Sequence, residues 1–333
     1  MTIREIASIA GVSPATVSLV LNNKKGVGAA TRIRVRRILD EYGYILAQSA
    51  KKTERCSIQF IKYRTHGMAV EENQGFIASI IDQVESECRH FSYDLVMRAC
   101  TAKTVEAVFR DIAVLPPDGI ILLGTEFDRE YFHLLQDVKV PIVVLDNSMR
   151  YEAVDSVVMD NAGIAGTAVR YLHELGHRKI GYLKTSVDVS NLRERYMGYL
   201  NALEALCLTP PEPVRLTPTL NGAYRDMKDL LAAGEYKPGG AVFADNDSIA
   251  IGASRALQEA GYRIPQDISI IGVDDIPYSS VTMPALTTMR VSRSTLGILV
   301  VDIIRKRMIH PDWPAMQLQI NGQLIVRDST APA

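Results

Sequence analysis

The sequence predicts two unlike folds joined end to end. One is a small all-α head holding a helix-turn-helix; the other is a large α/β body built on parallel sheets. Three observations predict this. Residues 1–44 contain three short amphipathic stretches with a glycine turn between the first two. From Ser57 onward, short β-branched runs alternate with longer helical ones. The charge is also divided: residues 1–53 carry nine Lys and Arg against three Asp and Glu, a surplus of six, yet the whole chain of 333 residues sums to −1. A basic head on an acidic body points to a polyanion as the partner of the head.

Thr2-Ile-Arg-Glu5 fits a capping box, and Ile3, Ile6, Ala7 and Ala10 recur at helical spacing. Gly11 ends that helix in the left-handed region. Ser13 caps the next helix, and Pro14 takes its first turn, where the missing N–H costs nothing. This second helix turns Val17, Val20 and Leu21 to one side and shows Ala15, Thr16, Ser18 and Asn22 on the other. That face has no catalytic group and too little apolar bulk for a core. It suits close approach of the backbone to the major groove of double-stranded DNA. There Thr16, Ser18 and Asn22 can bond phosphates or base edges, and Ala15 can touch a thymine methyl. A third helix, Thr31–Tyr42, points Val35, Ile38, Leu39 and Tyr42 inward and is surrounded by Arg32, Arg34, Arg36 and Arg37.

In the body, strands are expected at 57–61, 93–97, 119–123, 141–145, 156–160, 179–183, 240–244 and 268–273, with helices such as 75–91, 162–176 and 247–261 between them. Eight strands alternating with helices suit two parallel sheets better than one. Ligands of such sheets bind at the carboxyl ends of the strands, so two facing sheets would hold a small molecule between them. Asp146, Asn246 and Asp274 stand at such ends, Phe76 follows the first strand, and Arg195 is expected to open a helix before Gly198. Asp247 is expected to cap the helix that begins DSIAIG, and Asp275 to serve the turn after its strand. The basic loop 62–67, with Lys62, Arg64 and His66, reads as a solvated loop; the competing reading is a contact for an acidic or phosphorylated ligand.

Composition bounds the rest. The chain is 47% hydrophobic and 23% charged, enough for more than one domain. Cys56, Cys88, Cys100 and Cys207 are scattered with no CxxC pair, which reads as reduced thiols in a cytoplasmic protein. Arg4 and Glu5 break any apolar signal core, and runs such as 120–123 and 296–300 are too short to span a bilayer. His173-Glu-Leu-Gly-His177 matches HExxH. However, Gly176 before the second histidine marks a helix end, so the two rings leave the common face that zinc requires. No nucleophile elbow or phosphate-binding glycine loop occurs, and nothing in the pattern asks for a cofactor or metal.

TIREIASIAGVSPATVSLVLNN followed by TRIRVRRILDEYGY resembles the DNA-binding head of the lactose/galactose-repressor (LacI/GalR) family. The blocks VVMDNAGIAGTAVRYLHELGHRKIGYL, RERYMGYLNAL, AVFADNDSIAIGASRAL and ISIIGVDD resemble its effector domain, which has the type I periplasmic-binding-protein fold. The resemblance implies a cytoplasmic homodimeric repressor of operator DNA controlled allosterically by a small molecule, a sugar or sugar derivative. It implies a head at 1–44, a hinge at 45–56 and an effector-binding and dimerisation domain at 57–333. One subdomain takes about 57–160 and 291–321, the other about 161–290 and 322–330. On DNA it implies Thr2, Ser13, Pro14, Ala15, Thr16, Ser18, Leu19, Asn22, Thr31, Ala50 and Lys51; on the effector, Phe76, Asp146, Arg195, Asn246 and Asp274. Leu19 replaces the polar base-reading residue of many members. In the hinge, Leu46 and Ala47 stand for Pro and Asn, and Thr53 for the leucine that wedges the minor groove. A solute-binding protein or an α/β enzyme acting on a sugar-like ligand would share the body, but neither accounts for the basic head.

Overall fold

The computed structural model describes residues 3–21, 26–41, 55–70 and 75–333. Two compact units are distinct: one gathers the head through Ser57 with the short segment Arg89–Asp94, and the other comprises Ile58–Cys88 and Leu95–Ala333.

In the head, α1 (Ile3–Ala10) and α2 (Pro14–Leu21) meet at 103°, within the range of a helix-turn-helix. The bend is made at Gly11, with φ +62°, while Val12 N–H closes back on the Ala7 carbonyl at 3.0 Å. Helix α3 (Ala29–Glu41) completes a core of Ile6, Ala7, Ala10, Val17, Val20, Val35, Ile38 and Leu39.

The body has two six-stranded sheets. The first holds β1 (Ser57–Arg64), β2 (Asp94–Thr101), β3 (Gly119–Leu123), β4 (Ile142–Leu145), β5 (Asp155–Met159) and β11 (Gln317–Ile320), in the order β11-β5-β4-β3-β1-β2. The second holds β6 (Ile180–Thr185), β7 (Val214–Leu216), β8 (Ala241–Ala244), β9 (Ser269–Asp274), β10 (Thr287–Arg290) and β12 (Gln323–Ile325), in the order β12-β10-β9-β8-β6-β7. Ladders such as Ile121↔Val143 and Phe243↔Ile271 are parallel, whereas β12 runs antiparallel to β10. Every residue of β3, β5 and β8 is buried, as expected of strands covered on both faces.

The helices provide that cover. The first sheet is flanked by α4 (Phe76–His90), α5 (Val105–Val114) and the single turn α6 (His133–Gln136); the second by α7 (Asn161–Glu174), α8 (Ser190–Ala205), α9 (Leu220–Ala232) and α10 (Asp247–Glu259). Helix α11 (Arg293–Ile309) returns to the first sheet, where its Ile304 lies 3.0 Å from the position a Cβ on Gly119 would take. The chain therefore passes between sheets after β5, after β10 and after β11. Four short strands, β7, β10, β11 and β12, are additional to the eight read from the sequence.

Candidate functional site

In the head, Ser13 Oγ accepts the Thr16 N–H at 3.1 Å and lies 2.9 Å from Thr16 Oγ1, which fixes the start of α2. Ser13, Pro14 and Ala15 are exposed, and Thr16, Ser18, Leu19 and Thr31 are half-buried. The small polar face is thus presented at the N-terminal end of α2. Arg34, Arg36 and Arg37 are exposed on α3. Thr2, Asn22, Ala50, Lys51 and Tyr42 lie outside the described residues, as does the hinge substitution at Thr53.

In the body, Phe76, Asp146, Arg195, Asn246 and Asp274 all line one cavity of about 50 Å³, with Thr125, Met159, Asn191 and Leu192 among its other walls. Phe76 begins α4, Asp146 follows β4, and Asp274 ends β9. Helix α8 starts at Ser190, so Arg195 occupies its second turn and does not open it. The five residues that precede Arg195 in this helix, Ser190 to Glu194, include Asn191 and Leu192, which are buried and reach the cavity. A much larger hollow of about 840 Å³ lies between Phe109, Ile112, Leu134 and Val138 and contains none of the five residues. Convergent polar groups, not volume, make the smaller cavity the candidate site.

The polar groups form a graded network. Asp146 accepts from Thr125 Oγ1 at 2.6 Å and from Asn191 Nδ2 at 2.8 Å. Burial pushes its carboxyl up to about 6, against the pull of these two hydrogen bonds. The Asp274 side chain has no hydrogen-bond partner among the described residues, although its backbone is paired with Arg290 in the sheet. Burial pushes it up to about 8, with Arg195 opposing and Asp247 and Asp146 adding to the rise. Arg195 is 2% exposed; it donates to the Asp245 carbonyl and, at 2.8 Å, to Asn161 Oδ1, with Met159 Sδ at 3.1 Å. Three buried atoms on this part of α8 have no hydrogen-bond partner among the described residues: Asn191 Oδ1, Glu194 Oε2 and Arg195 Nε. Unsatisfied buried polar atoms are rare enough that such a cluster marks a place where a solvent or ligand group belongs. Backbone strain gathers here too. Asp146, Met149, Tyr151, Asp274 and Asp275 have φ of 63°, 48°, 72°, 110° and 52°. Such backbones persist only where their surroundings hold them.

Two expectations are corrected. The cap of α10 is Asn246, whose Oδ1 accepts the Ile249 N–H at 2.9 Å. Asp247 is fully buried and accepts from Ser279 Oγ and Thr288 Oγ1, both at 2.6 Å, and from Ile276 N–H at 3.1 Å. An aspartate one residue inside the helix faces the sheet, so it ties strands and cannot close the helix end. Asp275 bonds Arg290 at 2.7 Å and Arg327 at 2.6 Å. The loop after β1 is also not simply solvated. Buried Glu126 accepts N–H bonds from Thr65, His66, Gly67 and Ala69 at 2.7–3.0 Å, and His66 Nδ1 lies 3.1 Å from it. Sequence reading missed Glu126, Asn191 and Glu194; only their places just after β3 and at the start of α8 could have signalled them. His177, the second histidine of HExxH, lies beyond α7 and Gly176, with its Nε2 at 3.1 Å from the Ala331 carbonyl oxygen.

A helix-turn-helix with a small polar face, in one chain with two α/β lobes around a polar cavity, defines a ligand-controlled DNA-binding regulator. Residues 2–46 match the bacterial regulatory proteins of the lacI family, and residues 169–330 match the periplasmic binding protein-like domain. The chain is 30% identical over 341 residues to the HTH-type transcriptional repressor PurR of Edwardsiella ictaluri (strain 93-146), covering 99% of this chain and 97% of the other. It is 30% identical over 336 residues to the ribose operon repressor of Escherichia coli (strain K12), covering 98% and 99%. A solved complex of the transcriptional regulator CelR with cellobiose is 26% identical, with TM-score 0.72 and 99% coverage of both chains. The lac repressor dimer bound to operator and the anti-inducer ONPF is 24% identical, with TM-score 0.74 and 99% coverage of both, a likeness of fold. The chain belongs to the LacI family. It is an allosterically controlled, DNA-binding repressor and not an enzyme.

Proposed function

We propose that this repressor binds operator DNA as a cytoplasmic homodimer through α2, and that its effector is a neutral, hydroxyl-rich molecule of the sugar class held by Phe76, Asp146, Arg195, Asn246 and Asp274. The observation that carries the reading is the convergence of these five residues, from both lobes, on one cavity. Carboxylates accept from hydroxyls, Asn246 retains its Nδ2 donor after capping α10, and Phe76 offers an apolar face. The named relatives include a ribose operon repressor and a regulator solved with cellobiose, which supports a carbohydrate.

The charge pattern favours a neutral effector over an acid or phosphate. Two carboxyls face the cavity, while the Arg195 guanidinium is already bonded to Asp245 and Asn161. The amides of the 65–69 loop, which would otherwise suit an anion, are taken by Glu126. The division into head, hinge at 45–56 and body at 57–333 goes with this reading, with DNA contacts by Thr2, Ser13, Pro14, Ala15, Thr16, Ser18, Leu19, Asn22, Thr31, Ala50 and Lys51. Edge strand β2 exposes Val96 and Met97, an apolar edge that a second copy can cover.

The test is a thermal-shift screen against ribose, cellobiose, sugar phosphates, sugar acids and nucleosides, since a ligand that binds only the folded state raises the melting temperature. A neutral sugar that shifts the wild type but not Asn246→Ala supports the assignment. A response confined to phosphates or acids overturns it.

A further inference from the structure

The cavity of about 50 Å³ holds a few waters, whereas small-molecule pockets run to roughly 300–1,000 Å³. The lobes must part to admit an effector, so what holds them together matters. Polar bonds that cross from lobe to lobe concentrate on the first two turns of α8. Asn191 Nδ2 donates to the Asp146 carbonyl at 3.1 Å as well as to its carboxylate. One turn further on and outside the five effector residues, Glu194 Oε1 accepts from Ser148 Oγ at 2.6 Å and pairs with Arg150 Nε at 3.3 Å. The Glu194 side chain is 14% exposed and its Oε2 is buried without a partner among the described residues.

Ser148 and Arg150 belong to the strained loop that begins at Asp146. Asn147 ties that loop to its own lobe through the Gly124 and Phe127 carbonyls at 3.0 and 3.3 Å. Beside the Glu194 contact lies a second hollow of about 510 Å³, walled by Phe127, Arg129 and Arg150 from one lobe and by Ser190, Arg193 and Glu194 from the other. It gives both side chains room to swing apart.

We propose that Glu194 is a positioning residue for the effector response: it latches α8 to the Asp146 loop and holds the lobes in the narrow setting that excludes effector. The inference rests on the effector site lying at Asp146 and Arg195. Glu194 does not line the effector cavity; it acts by setting how far Asp146 stands from Arg195. Its half-satisfied carboxylate makes the latch strong enough to hold and cheap enough to release.

The test reads lobe separation and needs no effector. Spin labels are placed on Cys207 and on an introduced Glu106→Cys, in full-length protein carrying Cys56→Ser. In Glu194→Gln, a charge-assisted pair falls to a neutral one, and the population of wider separations should rise about tenfold. Ser148→Ala with Arg150→Ala should give the same widening, and the triple variant no more than either. An exposed control, Glu212→Gln, should leave the distances alone. Unchanged distances in Glu194→Gln, or additive widening in the triple variant, overturn the latch. The two readings fail separately: the latch falls on distances alone, whereas the effector assignment falls on ligand binding, if only phosphates or acids shift the melting temperature or if Asn246 and Arg195 variants bind sugar as the wild type does.

Discussion

Replacing Asp274 by asparagine isolates the electrostatic cost of the cavity. Asp146 is a poorer probe, because its oxygens anchor Thr125 and Asn191. Asp274 has no such bonds among the described residues, so Asp274→Asn changes charge with little loss of contact. Burial raises this carboxyl to about 8, against about 3.9 in an unfolded chain. The folded protein keeps a proton there that the unfolded chain has lost. Stability from this group is therefore fully present below about pH 4 and drains away as pH rises toward about 8. Each pH unit in that window removes at most ~1.4 kcal/mol. Between pH 5 and 7.5 the ceiling is roughly 3.4 kcal/mol, and screening through the cavity mouth reduces it to about 1–2 kcal/mol.

Asparagine has no proton to lose, so the variant gains on the wild type as pH rises. At about 2–4 °C per kcal/mol, the gap in melting temperature should open by roughly 2–8 °C from pH 5 to pH 7.5. Scanning calorimetry of the two proteins at matched ionic strength measures it. Parallel curves of melting temperature against pH would refute the reasoning, because they would mean that Asp274 titrates alike in the folded and unfolded chains.

Three further outcomes are expected. Asn246→Asp keeps the cap oxygen of α10 but loses the Nδ2 donor, so its melting temperature should stay within ~0.5 kcal/mol of the wild type while sugar binding fails; Asn246→Ala should lose both, at about 1 kcal/mol in calorimetry. Glu126→Gln leaves at least one of the loop amides or His66 without its acceptor, costing about 1–3 kcal/mol, and hydrogen exchange should rise selectively at residues 65–69. Gly198→Ala places a Cβ 2.4 Å from the Ala162 carbonyl oxygen and 2.5 Å from its Cα. It must push α7 and α8 apart, and urea melts should show a loss of about 1–3 kcal/mol or more.

The head and the strand-helix alternation were legible because they rest on local rules. Ser13, Pro14 and Gly11 each specify a backbone position, and buried parallel strands such as Gly119–Leu123 are unbroken apolar runs. The strands missed were Val214–Leu216, Thr287–Arg290, Gln317–Ile320 and Gln323–Ile325. They have three or four residues each and mix polar with apolar side chains, so only their neighbours in the sheet define them. The cavity followed from the rule that ligands sit at strand ends. What lay beyond the rule was how each side chain is used. Asn246 and Asp247 are adjacent and both suit a cap, and only the direction of α10 over the sheet decides which oxygen meets the Ile249 N–H. Glu126 was invisible for the same reason: its partners are the amides of a loop about sixty residues earlier in the chain.

The same geometry bounds how strongly an effector can act. It shifts the lobes only by the difference in its affinity for their two settings. To move the population from 1:99 to 99:1, that difference must reach about 5.5 kcal/mol. A hydroxyl ligand bridging Asp146 on one lobe and Asn246 and Asp274 on the other gains bonds that depend on lobe spacing: the ionised Asp146 contributes about 1.5–3 kcal/mol, and the neutral Asn246 and protonated Asp274 about 0.5–1.5 kcal/mol each. All three bonds together reach that difference only near the top of these ranges, about 6 kcal/mol, and only if they are not already satisfied in the narrow setting. Asp274 without a partner meets that condition, and Asp146, bonded to Thr125 and Asn191, meets it only when Asn191 on the opposite lobe draws away. The allosteric yield of the cavity thus depends on the contacts that cross it before any ligand arrives.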